Sequence, residues 1–172
     1  MSILLFEGTD NCGKTEIALE FVKRHPEYQY FKLKKERDIV EQTDPVVLQK
    51  AHELELRFFI EFAKSVNFNV VIDRHYPSEW VYGSLFRKVD EMLLQRCDEE
   101  FANLNTKIVI LQKNDDALED ELWNKKQLIA IKKKYQDFAK MTQCDKLLLN
   151  TDSENLEWEL AEIDKFLNDR RI

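Results

Sequence analysis

Gly8-Thr9-Asp10-Asn11-Cys12-Gly13-Lys14-Thr15 has the form GxxxxGK[ST] and follows directly on the apolar run Ile3-Leu4-Leu5-Phe6. That pattern leaves a chain few folding options. Two glycines at this spacing let the backbone curl until successive N–H groups face one point. A helix from about Lys14 to Arg24 adds the positive end of its dipole at the same place. Lys14 then reaches the β- and γ-phosphates of a nucleotide, and the Thr15 hydroxyl reaches a Mg²⁺ ion. The chain has only three glycines, Gly8, Gly13 and Gly83, where average usage gives about 12. Two of them stand in this loop, so the backbone has a specific need for them there.

The rest of the chain alternates strand-like and helix-like patterns. Apolar runs at Ser2 to Glu7, Tyr28 to Leu33, Phe68 to Asp73, Lys107 to Leu111 and Lys146 to Asn150 read as five strands. All but the second are nearly continuous hydrophobics, as expected of strands buried on both faces. Helical spacing fills the gaps: Val47, Ala51, Leu54, Phe58 and Phe62; then Leu85, Val89, Met92 and Leu93; then Leu128, Ile131, Tyr135 and Phe138. A last set, Leu156, Leu160, Ile163 and Leu167, follows an N-cap expected at Asp152 or Ser153. Strands alternating with helices predict an α/β fold, a doubly wound five-stranded parallel sheet with helices on both faces. The 172 residues suit a single domain, 1–172, without disulfide or metal staples.

Lys plus Arg number 26 against 33 for Asp plus Glu, a formal charge of −7, which argues against a general grip on duplex nucleic acid. A local basic pocket for a small anion remains compatible with that balance. Cys12, Cys97 and Cys144 match no zinc or CxxC spacing, and an odd count fits a reducing compartment. No apolar run approaches the roughly 20 residues of a membrane span. The expectation is a cytoplasmic protein with no membrane contact. Asp115 to Glu121 is an acidic stretch expected to form a solvated loop and helix start.

The third strand ends in Asp73-Arg74. In a parallel sheet the C-terminal strand ends line the ligand crevice. Asp73 is thus placed to hold Mg²⁺ directly or through water, and Arg74 to grip an anion with its planar fork. Here a resemblance becomes specific. Glu7-Gly8-Thr9-Asp10-Asn11-Cys12-Gly13-Lys14-Thr15 resembles the EGxDGxGKST opening of thymidylate kinases, and Asp73-Arg74-His75-Tyr76-Pro77-Ser78-Glu79-Trp80-Val81-Tyr82 keeps the register of their DRYxxSxxAY. The related deoxynucleoside kinases have a similar layout, and the short chain is similar to small phage-encoded members of this group.

The resemblance implies a P-loop kinase fold of strand order 2-3-1-4-5, with ATP and Mg²⁺ as cofactors and a small nucleotide as acceptor. Gly8, Asp10, Asn11, Cys12, Gly13, Lys14, Thr15 and Glu16 would hold the donor, with Thr15 and Asp73 at the metal. Lys14, Arg74, Asp73 and Glu7 would carry catalysis. Glu7 matches a glutamate that nucleoside kinases use to take the proton of a 5′-hydroxyl and that thymidylate kinases also have. Asp10 matches an aspartate near the sugar 3′-hydroxyl in thymidylate kinases. Arg74 would hold the acceptor phosphate, with Ser78 and Tyr82 lining its pocket.

Arg57 and Phe58 lie on the long helix where the family places an arginine and an aromatic ring against the acceptor base, although phenylalanines at the helical spacing of Phe58, Phe59 and Phe62 are more often core. Trp80 could stack or pack, Arg87 could meet phosphate or solvent, and His75 reads as a pocket or packing residue. The family's lid arginines have no counterpart. The lid segment, about 113–126, offers only Lys113, Lys125 and Lys126, and position 11 is asparagine. Asn150-Thr151-Asp152 is a candidate for the adenine site by position.

The expected activity is ATP- and Mg²⁺-dependent phosphorylation of a deoxynucleoside monophosphate. The competing readings are a deoxynucleoside kinase acting on a 5′-hydroxyl and a nucleotide-binding regulator with little catalysis. The resemblance also leaves a homodimer open, through helices flanking the acceptor site.

Overall fold

The computed structural model describes residues 2–32, 45–65 and 67–169. The elements, in order, are β1 (Ile3–Gly8), α1 (Lys14–Arg24), β2 (Tyr28–Lys32), α2 (Pro45–Ser65), β3 (Asn69–Asp73), α3 (Tyr76–Phe86), α4 (Glu91–Asn103), β4 (Thr106–Gln112), α5 (Lys125–Met141), β5 (Asp145–Asn150) and α6 (Leu156–Asn168). Among the described residues the strands form one five-stranded parallel sheet in the order β2-β3-β1-β4-β5. This is the expected doubly wound α/β arrangement. Strand ends differ from the sequence reading by a residue, and Leu33, read there as the end of the second strand, lies outside the described residues.

Alternation along the central strands divides the core. Ile3, Leu5, Val70, Ile72, Ile108 and Ile110 face α2 to α5, where they meet Phe59, Ile60, Leu94, Phe101, Ile131 and Phe138. Leu4, Phe6, Val71, Val109 and Leu111 face α1 and α6, against Ile17, Phe21, Leu160 and Ile163. Each such side chain taken out of water contributes roughly 1.5–3 kcal/mol, which is why β1, β3 and β4 need no polar alternation. β5 is different. It is an edge strand with Leu148 exposed and only Leu149 buried among its leucines, so its continuous apolar run does not signal burial on both faces.

Four further expectations shift. The stripe from Val47 through Leu54 to Phe58 is not the buried side of α2; these three are 58%, 60% and 62% exposed. Leu56, Phe59, Ile60 and Ala63, on nearly the opposite side, make the core contact. The helix is apolar on two sides, and the side that reaches the sheet wins. The Leu85-to-Leu93 spacing spans a break, because α3 ends at Phe86 and α4 starts at Glu91 behind an Asp90 cap that accepts from Leu93 N at 3.0 Å. The cap of α6 is Asn155, accepting from Trp158 N at 3.1 Å, since Asp152 is already engaged by Asn114 N at 2.8 Å. The acidic stretch is a 3₁₀ turn at Asp115–Ala117 followed by loop, with the helix beginning only at Lys125 behind an Asn124–Gln127 capping box.

Buried polar groups join these elements. Asp98 of α4 accepts from Tyr76 Oη at 2.7 Å and Gln143 N at 2.8 Å, tying α3 and the approach to β5 to one carboxylate. His75 is an exception. Among the described residues neither of its buried ring nitrogens has a hydrogen-bond partner, and the ring packs edge-on against Phe59 and Phe101 with centroids 5.2 and 4.9 Å away. Burial pulls its pKa down to about 3. It is a packing residue, neutral at physiological pH.

A pH dependence follows. In the unfolded chain this histidine titrates near 6.5. Above that pH it is neutral in both states; as pH falls below it, the unfolded chain binds a proton that the folded protein refuses, and stability drops. Between pH 7 and pH 5 the loss from this group is about 2 kcal/mol. Urea unfolding of the wild type and His75→Phe at both pH values checks this: the variant should lack that part of the decline, and an equal decline in both would contradict the account.

Candidate active site

The phosphate loop starts where β1 runs out. Gly8 has φ 135° and pairs with Leu111 across the sheet. A Cβ at Gly8 would stand 2.1 Å from the Leu111 carbonyl oxygen, so only glycine fits. Gly13, at φ 77°, turns the chain into α1 without a side-chain cap, leaving the first N–H groups of α1 facing the loop. The loop is buttressed from within and below: the Thr9 hydroxyl meets the Cys12 thiol at 2.6 Å, and the Thr151 hydroxyl donates to the Cys12 carbonyl at 3.3 Å. Asn150-Thr151-Asp152 therefore lies beside the loop. Lys14 is buried, with its ammonium on the Thr9 carbonyl. Burial first, then the nearby Arg74 charge, pulls its pKa down to about 8, against the opposing pull of Cys12, Asp10 and Glu7. Glu16 is exposed on the first turn of α1.

Thr15 and Asp73 meet as expected, Thr15 Oγ1 donating to Asp73 Oδ2 at 2.6 Å. The same carboxylate oxygen accepts from Tyr30 Oη at 3.0 Å and pairs with Lys32 Nζ at 2.9 Å. Asp73 Oδ1 is buried with no hydrogen-bond partner among the described residues. Burial would raise the carboxyl's pKa, but Thr15, Lys32 and Tyr30 outweigh it and hold the group below its ordinary value. A hydroxyl and an ionised carboxylate with one idle oxygen are hard ligands, and they fit a Mg²⁺ ion. Among the described residues no group of three or more His, Cys, Asp or Glu could hold a metal.

Arg74 follows Asp73 in the left-handed region, φ 69°, which turns its side chain along the crevice. Its Nη2 pairs with Asp10 Oδ1, and its Nη1 donates to Ser78 Oγ at 3.2 Å. Tyr82 Oη donates to Asp10 Oδ2 at 2.9 Å, and the guanidinium carbon lies 5.3 Å from the Tyr82 ring centre. Burial works against the Arg74 charge, but Tyr135, Tyr82, Asp10 and Glu7 more than restore it, and its pKa is raised.

Behind this group sits Glu7, with no exposed surface. Its Oε1 accepts from His75 N at 2.7 Å and its Oε2 from Ser78 Oγ at 2.6 Å and Tyr135 Oη at 3.1 Å. Burial nevertheless raises its pKa. Trp123, just before α5, stacks on Phe86 with centroids 4.4 Å apart and lies 6.0 Å from the Tyr82 ring. Among the described residues its buried indole N–H has no partner.

The structure thus brings together Glu7, Asp10, Lys14, Thr15, Asp73, Arg74, Ser78 and Tyr82. Among the described residues it does not bring Arg57 or Phe58 into this cluster. Arg57 is exposed and its charge is felt at the Cys97 thiol of α4; Phe58 is exposed and pairs with Phe59 and Phe62. Trp80 is partly buried against the core, and Arg87 pairs with Glu79 at 2.9 Å.

Asn11, at φ 57°, reaches across to the segment before α5, donating to Glu119 O at 2.9 Å and Asp120 Oδ2 at 3.3 Å. Lys113 pairs with Glu154 at 3.0 Å and Lys125 donates to Leu118 O at 3.1 Å, while Lys126 is exposed. Sequence reasoning missed Tyr30, Lys32, Trp123 and the Tyr135 hydroxyl as site groups. Tyr30 and Lys32 had a signal: polar atoms two apart at the C-terminal end of a parallel strand share a face near the crevice.

Among solved structures, the chain superposes on the YorR protein of Bacillus subtilis, in complex with phosphorylated GDP, with a TM-score of 0.71 and 20% identity over 96% of this chain and 94% of that one. It matches a thymidylate kinase from Ehrlichia chaffeensis with a TM-score of 0.64 and 15% identity, over 97% and 99% of the two chains. It matches a deoxyadenosine kinase from M. mycoides, with bound dATP, with a TM-score of 0.65 and 18% identity, over 98% and 100%. No protein-family model matches the chain, and neither does any curated protein sequence. At these identities the likeness is one of fold. The chain shares the P-loop kinase fold of these structures over nearly its whole length.

Tyr135→Phe removes one donor from the enclosed Glu7 carboxylate. The carboxylate stays buried, so the variant should lose about 1–3 kcal/mol of stability, read as a lower urea midpoint. An unchanged midpoint would show that the hydroxyl is idle.

Proposed function

We propose that this protein transfers the γ-phosphoryl group of ATP, with Mg²⁺, to a deoxynucleoside monophosphate in the manner of a thymidylate kinase, giving the diphosphate. The observation that carries the reading is the pair of cations, Lys14 and Arg74. Both are largely enclosed, and Arg74 lowers the Lys14 pKa. Two like charges within electrostatic reach of each other favour further anions, beyond the Asp10 carboxylate that already pairs with Arg74. Donor phosphates on Lys14 and an acceptor phosphate on Arg74 would supply those anions from two sides of one crevice.

Glu7 points the same way. A kinase acting on a 5′-hydroxyl needs a base that can reach that hydroxyl. Both Glu7 oxygens are instead taken up by His75 N, Ser78 and Tyr135 in a site with no exposed surface. This favours a positioning role for Glu7 and a phosphate acceptor.

In this reading the loop N–H groups and Lys14 hold the donor, with Asp10, Asn11, Cys12 and Glu16 along its rim. Thr15 and Asp73 would hold Mg²⁺, which when bound neutralises charge on the β- and γ-phosphate oxygens. Arg74 orients the acceptor phosphate, Asp10 meets the sugar hydroxyl, and Ser78, Tyr82 and Trp123 line the acceptor pocket. Residues 113–126 act as the lid of a single kinase domain, with lysines in place of arginines, and closure excludes water that would otherwise hydrolyse ATP. The exposed Val47–Leu54–Phe58 stripe of α2 supports pairing with a second copy. The three cysteines are free and buried, as suits the cytoplasm. No described helix is long and apolar enough to cross a membrane.

Two variants separate the halves of the site. Lys14→Ala should lower kcat at least 100-fold with the fold intact by circular dichroism; normal turnover would remove Lys14 from the donor site. Arg74→Ala should raise the KM for the acceptor more than tenfold and change the KM for ATP little. The reverse pattern would move Arg74 to the donor side.

A further inference from the structure

Lys32 ends β2 directly beside Asp73, its partner in the register of the two strands. Its ammonium lies 2.7 Å from Thr15 Oγ1 and 2.9 Å from Asp73 Oδ2, and those two oxygens are 2.6 Å apart. One ammonium therefore touches both groups that would hold the metal. The Thr15 hydroxyl has its proton on Asp73 and a lone pair on Lys32, so its capacity is largely used. Asp73 Oδ2 serves Thr15, Tyr30 and Lys32 together, while Oδ1 is buried with no partner among the described residues.

A divalent ion liganded by Thr15 and Asp73 would meet the ammonium at contact distance, and like charges that close in a partly enclosed site exclude one another. The two sides of the pair differ in freedom. The Asp73 side chain is 1% exposed and the Lys32 side chain 44% exposed. If one of them moves, it is the lysine, whose flexible stem can carry its charge outward.

We propose that Lys32 is the resident cation of the metal position. Its ammonium neutralises Asp73 in the nucleotide-free protein, competes with a free divalent ion for Thr15 and Asp73, and gives way when the ion arrives with a polyphosphate whose charge the lysine follows. Metal and nucleotide then enter together. This rests on the nucleotide-kinase reading of the site and adds to it a positioning residue that controls metal entry. A lysine that merely tied the end of β2 to Asp73 would stabilise the fold and leave metal affinity alone.

The test is Mn²⁺ binding, followed by the electron paramagnetic resonance of free Mn²⁺, with and without ATP. Without nucleotide, Lys32→Met and Lys32→Gln should bind Mn²⁺ at least tenfold more tightly than the wild type. Lys32→Arg should stay close to the wild type, and adding Asp73→Asn to Lys32→Met should abolish the gain. The Gln variant keeps a donor for Asp73 without charge, so a folding defect in the Met variant leaves the question answerable. With ATP present the gap between variant and wild type should narrow.

Equal or weaker Mn²⁺ binding by both the Met and Gln variants would overturn the proposal, as would a gain that survives Asp73→Asn. A gap that stays as wide with ATP would overturn the displacement step. None of these readouts needs turnover. A lack of phosphoryl transfer to every nucleotide acceptor would count against the proposed function, and unchanged Mn²⁺ affinity would count against Lys32 alone.

Discussion

Glu7 stands at the end of β1 with its carboxylate out of reach of water, one residue before the loop that the site is built on. An ionised group in such a place is costly unless donors surround it. Three do: the His75 amide, the Ser78 hydroxyl and the Tyr135 hydroxyl. They come from the turn after β3, from α3 and from α5. Satisfying this one carboxylate fixes how three separate segments meet at the C-terminal edge of the sheet. Arg74 and Tyr82 inherit their positions from it, because they flank the groups it binds. The same edge carries Gly8, whose missing side chain lets the loop turn against the Leu111 carbonyl.

Charge is organised around that anchor in two layers. Asp10, Arg74 and Tyr82 form one connected group at the crevice, and Thr15, Asp73, Tyr30 and Lys32 form another. Lys14 lies within electrostatic reach of Arg74. Asn11 adds a mechanical link. Its side-chain amide holds the Glu119 carbonyl and the Asp120 carboxylate. Asp120 in turn receives the Leu122 and Trp123 amides at 2.7 and 3.2 Å. The segment before α5 is thereby docked on the phosphate loop, and Trp123 is set against Phe86 and Tyr82.

Much of this was legible in the residues. A loop with a fixed glycine spacing between a strand and a helix has one geometry, so Gly8 to Thr15 predicted both the turn and the start of α1. Asp73 and Arg74 followed from the rule that parallel strands end at the crevice. What escaped the sequence depended on tertiary direction. Tyr135 lies at core spacing on α5, and nothing in that spacing says that its hydroxyl reaches Glu7. Lys32 and Tyr30 read as strand polarity until β2 is paired with β3. Phe58 and Leu54 carried an apolar signal on the wrong side of α2, because periodicity finds stripes but does not say which one meets the sheet. Val89 continued a helical spacing across a real break, and β5 kept an apolar run at an edge.

The most direct test of the account is a product analysis: the protein with ATP and Mg²⁺ against every deoxynucleoside monophosphate and every deoxynucleoside, reading ADP and the phosphorylated product. The account predicts ADP together with a diphosphate from at least one monophosphate, and no monophosphate from any nucleoside. Monophosphate products from a nucleoside would contradict it, making Glu7 a reachable base after all. ADP from neither panel would contradict the kinase reading itself and leave a nucleotide-binding protein without catalysis.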